Sequence, residues 1–104
     1  MIEVPEYSVL HHAPVLVMVL AKSTEAQAME DCCLAAENLM LAARDRGIGT
    51  CWVGFARPWL NRPEVKSELG LNEDYEIVAP IVLGFPKAWP PSHGRNKPEI
   101  QWIG

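Results

Sequence analysis

Residues 35–54 read AAENLMLAARDRGIGTCWVG, and they join the end of a helix, a glycine stop and the start of a strand. The helix is predicted over about Glu25–Arg46, since Thr24 and Gln27 have the spacing of a capping box ahead of an apolar periodicity of three and four. The apolar face consists of Met29, Cys32, Cys33, Ala36, Leu39, Met40 and Ala43. Gly47 stands where a left-handed helix cap favours a residue without a Cβ atom.

A second apolar stripe runs along another side of the same predicted helix. It is formed by Leu34 and Leu41, which lie seven residues apart. Their polar neighbours are Glu30, Glu37, Asn38 and Asp45. A helix with two apolar stripes needs two partners. One partner is predicted to be a sheet, and the other is a second helix or a second subunit.

Three segments have the composition of strands. Pro14–Leu20 is a continuous apolar run, which predicts a strand covered on both faces, and Gly49–Val53 predicts a short strand that leads into a loop at Gly54. Tyr75–Gly84 is a second long apolar run. Pro80 within it lacks a backbone N–H, so this strand is predicted to lie at a sheet edge or to carry a bulge there.

The remaining segments complete an α/β pattern. Asn61 and Glu64 have capping spacing, and Arg62–Leu69 predicts a short helix. Residues 85–104 contain four prolines and predict an extended tail that packs on an existing surface through its tryptophans. The order strand–helix–strand–helix–strand predicts one α/β domain over residues 1–104. Three strands and two helices give thin cover for buried strands, so missing sequence or another chain is expected to complete the core.

Composition and charge exclude several classes of protein. A net charge of −4 gives no basic footprint for nucleic acid, and no apolar run is long enough to span a bilayer. Glu3 and Glu6 stand where a secretory leader would be basic, so a cytoplasmic location is expected. The histidines and the three cysteines lack metal-ligand spacing, and no metal site is predicted. The cysteines are predicted to be reduced packing residues rather than a redox pair.

The segment quoted first resembles the long alanine-rich helix and Gly-x-Gly turn of the FMN-dependent nitroreductase family. Ala13–Leu16, Leu83–Pro86 and Arg95–Pro98 are similar to further family segments and follow in the same order. The resemblance covers residues 13–97 and corresponds to the C-terminal half of the family fold. It implies part of a three-layer α/β/α sandwich with a long central helix.

The resemblance also implies a cofactor site. Backbone groups of Trp52, Val53 and Gly54 would lie against the flavin near N5, and Arg95 and Lys97 would hold the FMN phosphate. A glycine suits such a place because a flat ring can approach the backbone closely. Taken alone, the residues also allow Gly54 to be a turn glycine, Trp52 a core residue and the two cations a solvated tail. No catalytic side chain is expected, because the hydride chemistry belongs to the cofactor.

The function implied is that of an FMN-dependent oxidoreductase that transfers hydride from reduced flavin to a nitroaromatic- or quinone-like small molecule, with NAD(P)H or another compound as the electron donor. The family's N-terminal arginine-rich segment has no counterpart here, since residues 1–12 contain no arginine and no lysine. The partner expected is therefore a second copy of the chain or a missing N-terminal half. The alternative is a non-catalytic fragment that folds and dimerises without binding flavin on its own. His11 and His12 are expected to belong to an exposed lead-in.

Overall fold

Three strands pair into one antiparallel sheet in the computed structural model, which describes residues 10, 12–22 and 24–104. The elements are β1 (Val15–Ala21), α1 (Ala26–Asp45), β2 (Gly49–Trp52), α2 (Ala56–Leu60), α3 (Pro63–Glu68) and β3 (Glu76–Gly84). The strand order is β1-β3-β2, so the last strand of the chain lies in the centre. The predicted α/β class is confirmed. The prediction for His11, and that for the lead before residue 10, lie outside the described residues.

Helices cover the sheet on both faces. On one face α1 packs against β1 and β3, and its side chains Cys32 and Ala36 lie in small clusters with Val78 and Ala79. On the other face α2 and α3 close a separate cluster around Leu60. That cluster contains Val53, Ala56, Leu60, Val65, Ile77 and Val82. The result is the predicted arrangement of three layers.

The end of α1 is a Schellman motif built on Gly47. Its φ is +74°, its N–H donates to Arg44 O at 3.0 Å, and the N–H of Ile48 donates to Ala43 O at 2.9 Å. The predicted stop is therefore confirmed. The predicted start is wrong in detail, because Glu25 is the N-cap residue and the side chain of Gln27 donates to Asp31 instead of closing a capping box.

Pro80 lies in the central strand, so the edge alternative of its prediction is wrong, while the other alternative, a bulge, occurs two residues before it in β3. The N–H of Val53 donates to Pro80 O at 2.8 Å, which means that the nitrogen of Pro80 faces the same side. A residue with an N–H would donate there to the carbonyl of Val53. That carbonyl instead accepts from Ala56 at 3.1 Å, because β2 has already ended and α2 begins. The missing donor therefore costs the sheet no hydrogen bond.

A β-bulge occurs two residues before Pro80. Val19 pairs with Ala79 and Leu20 pairs with Ile77, which leaves Val78 as the extra residue of β3. Val78 and Ala79 consequently both lie in clusters on the α1 face, while Ile77 lies in the cluster of α2 and α3. The bulge thus places two successive residues, Val78 and Ala79, on the same face of the sheet.

The tail after β3 has no regular secondary structure, and every residue from 85 to 104 is exposed. That the tail is extended stays a prediction. The packing of its tryptophans is only partly as predicted: Trp89 is 42 % exposed beneath Arg44, whereas Trp102 is 89 % exposed. Trp59, by contrast, packs against the cluster around Leu60. Strand β1 is also covered incompletely, since most of it is half-buried and Val15 is exposed.

Candidate cofactor site

The turn between β2 and α2 begins at Val53, whose side chain and backbone groups all have partners within the fold. Val53 is buried, and its side chain belongs to the cluster around Leu60. Its N–H donates to Pro80 and its carbonyl accepts from Ala56. Val53 therefore fixes where the turn begins but has no backbone donor left for a ligand.

Gly54 follows, and nothing within the described chain requires a glycine there. Its φ is outside the left-handed region, and a Cβ atom built on it would meet no atom within 4 Å. Its carbonyl accepts from Arg57 at 3.2 Å, while its N–H makes no hydrogen bond to any residue that the structure describes. Gly54 thus combines an open surface with a free backbone donor, which weakens its interpretation as a turn glycine alone.

An open recess lies around this turn. Its volume is about 460 Å³, within the size range of small-molecule sites, and it is lined by Cys51, Trp52, Val53, Gly54 and Phe55. Phe55 is 87 % exposed, so its ring is available as an apolar wall. Phe55 is not among the site residues predicted from the sequence. The only signal was a large apolar residue directly after a loop glycine.

A second open recess of about 410 Å³ adjoins the first through the shared residue Cys51. Its other lining residues are Ala13, Pro14, Gly49, Thr50, Val82, Leu83, Gly84, Phe85 and Pro86. Two of the segments that resemble the family, residues 13–16 and 83–86, therefore meet at one end of the sheet. The resemblance had given only their order along the chain.

Trp52 has its side chain on the α1 face of the sheet. It packs there with a cluster that contains Ala36, Ala79 and Ile81. Its half-buried side chain therefore agrees with the core-packing interpretation of the sequence, and Trp52 also lines the recess.

Arg95 and Lys97 lie in the exposed part of the tail. Neither lines the recess, and neither makes a hydrogen bond or ion pair with a residue that the structure describes. Gly94, just before them, has φ +76°, and its N–H donates to Ser92 Oγ at 3.1 Å. The structure therefore leaves both cations free to bind an anion but does not bring them to the turn at Gly54.

The cysteines differ in their surroundings. Cys32 is buried, and burial raises the pKa of its thiol, with Cys33 and Asp31 adding to the effect. Cys33 and Cys51 are exposed, so their prediction as packing residues is wrong. Successive helical residues point about 100° apart, and Cys32 takes the position facing the sheet. Within the described ranges no three His, Cys, Asp or Glu side chains are grouped as a metal would need, and no helix could cross a membrane.

Comparisons with known proteins identify the family to which this geometry corresponds. The model of the nitroreductase family matches residues 3–85. The chain belongs to the nitroreductase family. A crystal structure of a Bacteroides fragilis nitroreductase with bound FMN superimposes with a TM-score of 0.80 at 28 % identity, over 97 % of this chain and 57 % of that one. The family and the fold predicted from the sequence are both confirmed.

Two curated relatives match shorter segments. A protein of Archaeoglobus fulgidus with the provisional name NADH dehydrogenase/NAD(P)H nitroreductase is 36 % identical over 59 residues, which are 57 % of this chain and 34 % of that protein. The chloronitrobenzene nitroreductase of Comamonas testosteroni is 42 % identical over 50 residues, 47 % of this chain and 21 % of that enzyme. The match thus spans about a third of the first relative and a fifth of the second.

Proposed function

We propose that this chain provides the C-terminal half of an FMN-dependent, nitroreductase-type oxidoreductase, including a backbone turn that contacts the flavin. The proposal rests on the free N–H and open surface of Gly54, at the place where the family resemblance puts the flavin. When bound, FMN supplies the hydride chemistry, taking electrons from NAD(P)H and giving them to a nitroaromatic- or quinone-like acceptor. The residues of this chain bind and orient it.

The backbone donor of Gly54 is suited to a ring nitrogen because its surroundings are fixed before a ligand arrives. Val53 is held by β3 on one side, and on the other side Arg57 lies 3.6 Å from Glu76 and donates to Met29 Sδ. A donor on such a supported turn needs no rearrangement to meet its acceptor. Phe55 and the exposed thiol of Cys51 complete the wall against which a flat ring would lie.

The phosphate of FMN would be held by Arg95 and Lys97. Both are exposed cations without a partner in the described chain, and guanidinium and ammonium groups both bind phosphate well. Since neither lines the recess, the complete site needs a further surface from a second copy of the chain or from a separate N-terminal half. We favour the second copy, because Leu34 and Leu41 give α1 an apolar face that the described chain leaves exposed. We also place the protein in the cytoplasm, since its three free thiols suit a reducing compartment.

Flavin titration of the whole chain tests the proposal. Flavin fluorescence is followed as chain is added to FMN, first with the wild type and then with Gly54→Ala and Gly54→Val. We expect wild-type quenching at micromolar chain, and a loss of about 1–3 kcal/mol in binding for the variants, because a side chain fills space that the ring needs. Absence of quenching by tens of micromolar of folded chain would reject FMN binding by this chain alone.

The same titration separates the proposal from a second candidate, a non-catalytic nitroreductase-like module that folds and dimerises without flavin. One observation favours that candidate: the chain corresponds to only 57 % of the FMN-bound neighbour. A variant such as Gly54→Val would then have no binding to lose. A chain that dimerises and folds normally but leaves FMN fluorescence unchanged would support the module.

A further inference from the structure

The first part of the tail is attached to the body of the fold at two points. Pro86 packs over Gly49, where a built Cβ atom would lie 3.5 Å from its ring carbons. Three residues on, the guanidinium of Arg44 lies 3.6 Å from the centroid of the Trp89 ring. Arg44 belongs to the last turn of α1, so this stack joins the tail to the long central helix.

The path from this stack to the proposed phosphate cations is short and stiff. Pro90 and Pro91 follow Trp89 directly and hold their φ angles near −65°. The next local constraint is the hydrogen bond from Gly94 N to Ser92 Oγ. Arg95 follows Gly94 directly in the sequence. The attachment of Trp89 therefore largely determines where Arg95 lies relative to the rest of the fold.

We infer that Arg44 and Trp89 are positioning residues for a phosphate clamp formed by Arg95 and Lys97. This inference rests on the proposed function. Arg44 lies in the last turn of α1 with one face of its guanidinium on the Trp89 ring. It acts through the tail, by keeping the two cations where a bound phosphate group can meet them. Free in solution, an unattached tail would present the same charges over a much wider range of positions.

The test compares FMN with riboflavin, which has the same ring system but no phosphate. The dissociation constants of both are measured for the wild type, Arg44→Ala and Trp89→Ala. Since an exposed cation–π stack contributes modestly, we expect FMN to bind about two- to fivefold more weakly to each variant. Riboflavin should bind unchanged, because the ring site is untouched. A general loss of structure would instead weaken both ligands.

Two further variants sharpen the comparison. Trp89→Phe keeps an aromatic face for Arg44 and should retain most of the FMN affinity. Arg46→Ala removes the same charge two residues away without removing the stack, and it should leave FMN binding at the wild-type level. If Arg46→Ala weakens FMN as much as Arg44→Ala does, the effect is one of net charge and the inference is wrong.

A flavin-free measurement checks the attachment itself. Lys87 lies between the two attachment points, whereas Arg95 lies beyond them, so tryptic cleavage after Lys87 should be slow relative to cleavage after Arg95. We expect Arg44→Ala and Trp89→Ala to raise the ratio of the cleavage rate after Lys87 to that after Arg95 about two- to fivefold, because the segment detaches more often. An unchanged ratio would overturn the inference.

The outcomes distinguish this inference from the proposed function. If the wild type binds FMN no more tightly than riboflavin, the tail has no phosphate role, and the inference is overturned together with that part of the proposal. If the wild type prefers FMN and the two stack variants keep the same preference, only the positioning role of Arg44 and Trp89 is overturned.

Discussion

The side-chain amide of Asn61 bonds to both backbone groups of Ile77. Ile77 N donates to Asn61 Oδ1 at 2.8 Å, and Asn61 Nδ2 donates to Ile77 O at 2.9 Å. Strand β2 has ended at Trp52, which pairs with Ile81, so Ile77 has no strand neighbour on that side. A single side chain at the end of α2 thus replaces the missing strand residue and ties the helix to the centre of the sheet.

Loss of this side chain should destabilise the fold strongly. Asn61→Ala leaves the N–H and carbonyl of the buried Ile77 without partners, and each such group costs about 1–3 kcal/mol. We expect the free energy of unfolding in urea to fall by about 2–4 kcal/mol. Asn72→Ala is the matched control, because Asn72 accepts the N–H of Asp74 in an exposed turn. Equal losses for the two variants would contradict this assignment.

Substitutions at Gly47 and Gly54 distinguish the cost of backbone strain from the cost of steric contact. A Cβ atom at Gly47 or at Gly54 would meet nothing within 4 Å, but only Gly47 has a positive φ, +74°. Gly47→Ala should therefore lower the free energy of unfolding by about 1–2 kcal/mol, the cost of placing an L-residue in the left-handed region. Gly54→Ala should change it by less than about 0.5 kcal/mol, as for an ordinary surface position. Thermal unfolding followed by circular dichroism compares the two variants. A large loss of stability for Gly54→Ala would contradict the prediction.

The features that sequence predicted well are local ones. The end of α1 follows from the φ preference of Gly47, and the strands follow from their apolar runs. Gly70 ends α3 in the same way, with φ +75° and a bond from Leu71 N to Lys66 O at 2.8 Å. Each of these depends on interactions over a few residues, and a single sequence contains that information.

The features that sequence did not predict depend on which segments become neighbours. Pro80 is acceptable in a central strand only because β2 stops beside it, and Asn61 has the spacing of a helix cap but instead completes the hydrogen bonds of β3. The candidate site shows the same division. The turn at Gly54 could be located by resemblance. Three other features depend on the three-dimensional arrangement of the chain: the free donor of Gly54, the exposed ring of Phe55 and the separation of Arg95 from the recess.

The three thiols should react at different rates. Cys33 and Cys51 are exposed, while Cys32 is buried and its thiol donates to Leu20 O at 3.5 Å. Titration of the native chain with a disulfide reagent should modify two thiols rapidly and the third only after urea is added. Rapid reaction of all three would show that Cys32 is accessible.

The raised pKa of Cys32 also predicts a pH dependence of stability. The folded state holds this proton more tightly than the unfolded state, whose thiol titrates near its ordinary value of 9.0. The sign follows from linkage: the contribution is fully present below that value and is lost as the pH rises through it towards the folded-state pKa. Urea unfolding at pH 7 and above pH 9 should show a smaller alkaline loss of stability in Cys32→Ala than in the wild type. Cys51→Ala serves as the control, since this exposed thiol does not contribute to the shift at Cys32, and an identical alkaline loss in the wild type and Cys32→Ala would contradict the prediction.

The exposed face of α1 is predicted to mediate dimerisation of the chain. Leu34 is 67 % exposed and Leu41 60 %, and in a two-fold symmetric dimer each would be buried twice. Full burial of a leucine contributes about 1.5–3 kcal/mol, so Leu34→Ser with Leu41→Ser should weaken the dimer by on the order of a hundredfold or more. Sedimentation should then show a monomer whose unfolding free energy is close to that of the wild-type monomer, because these side chains contribute little to the core of their own chain. Ala35→Ser with Ala42→Ser has the same spacing on exposed positions but removes little apolar surface, and it should remain dimeric. A wild type that sediments as a monomer at high micromolar concentration would exclude a dimer on this face and would favour a separate N-terminal half as the partner that completes the site.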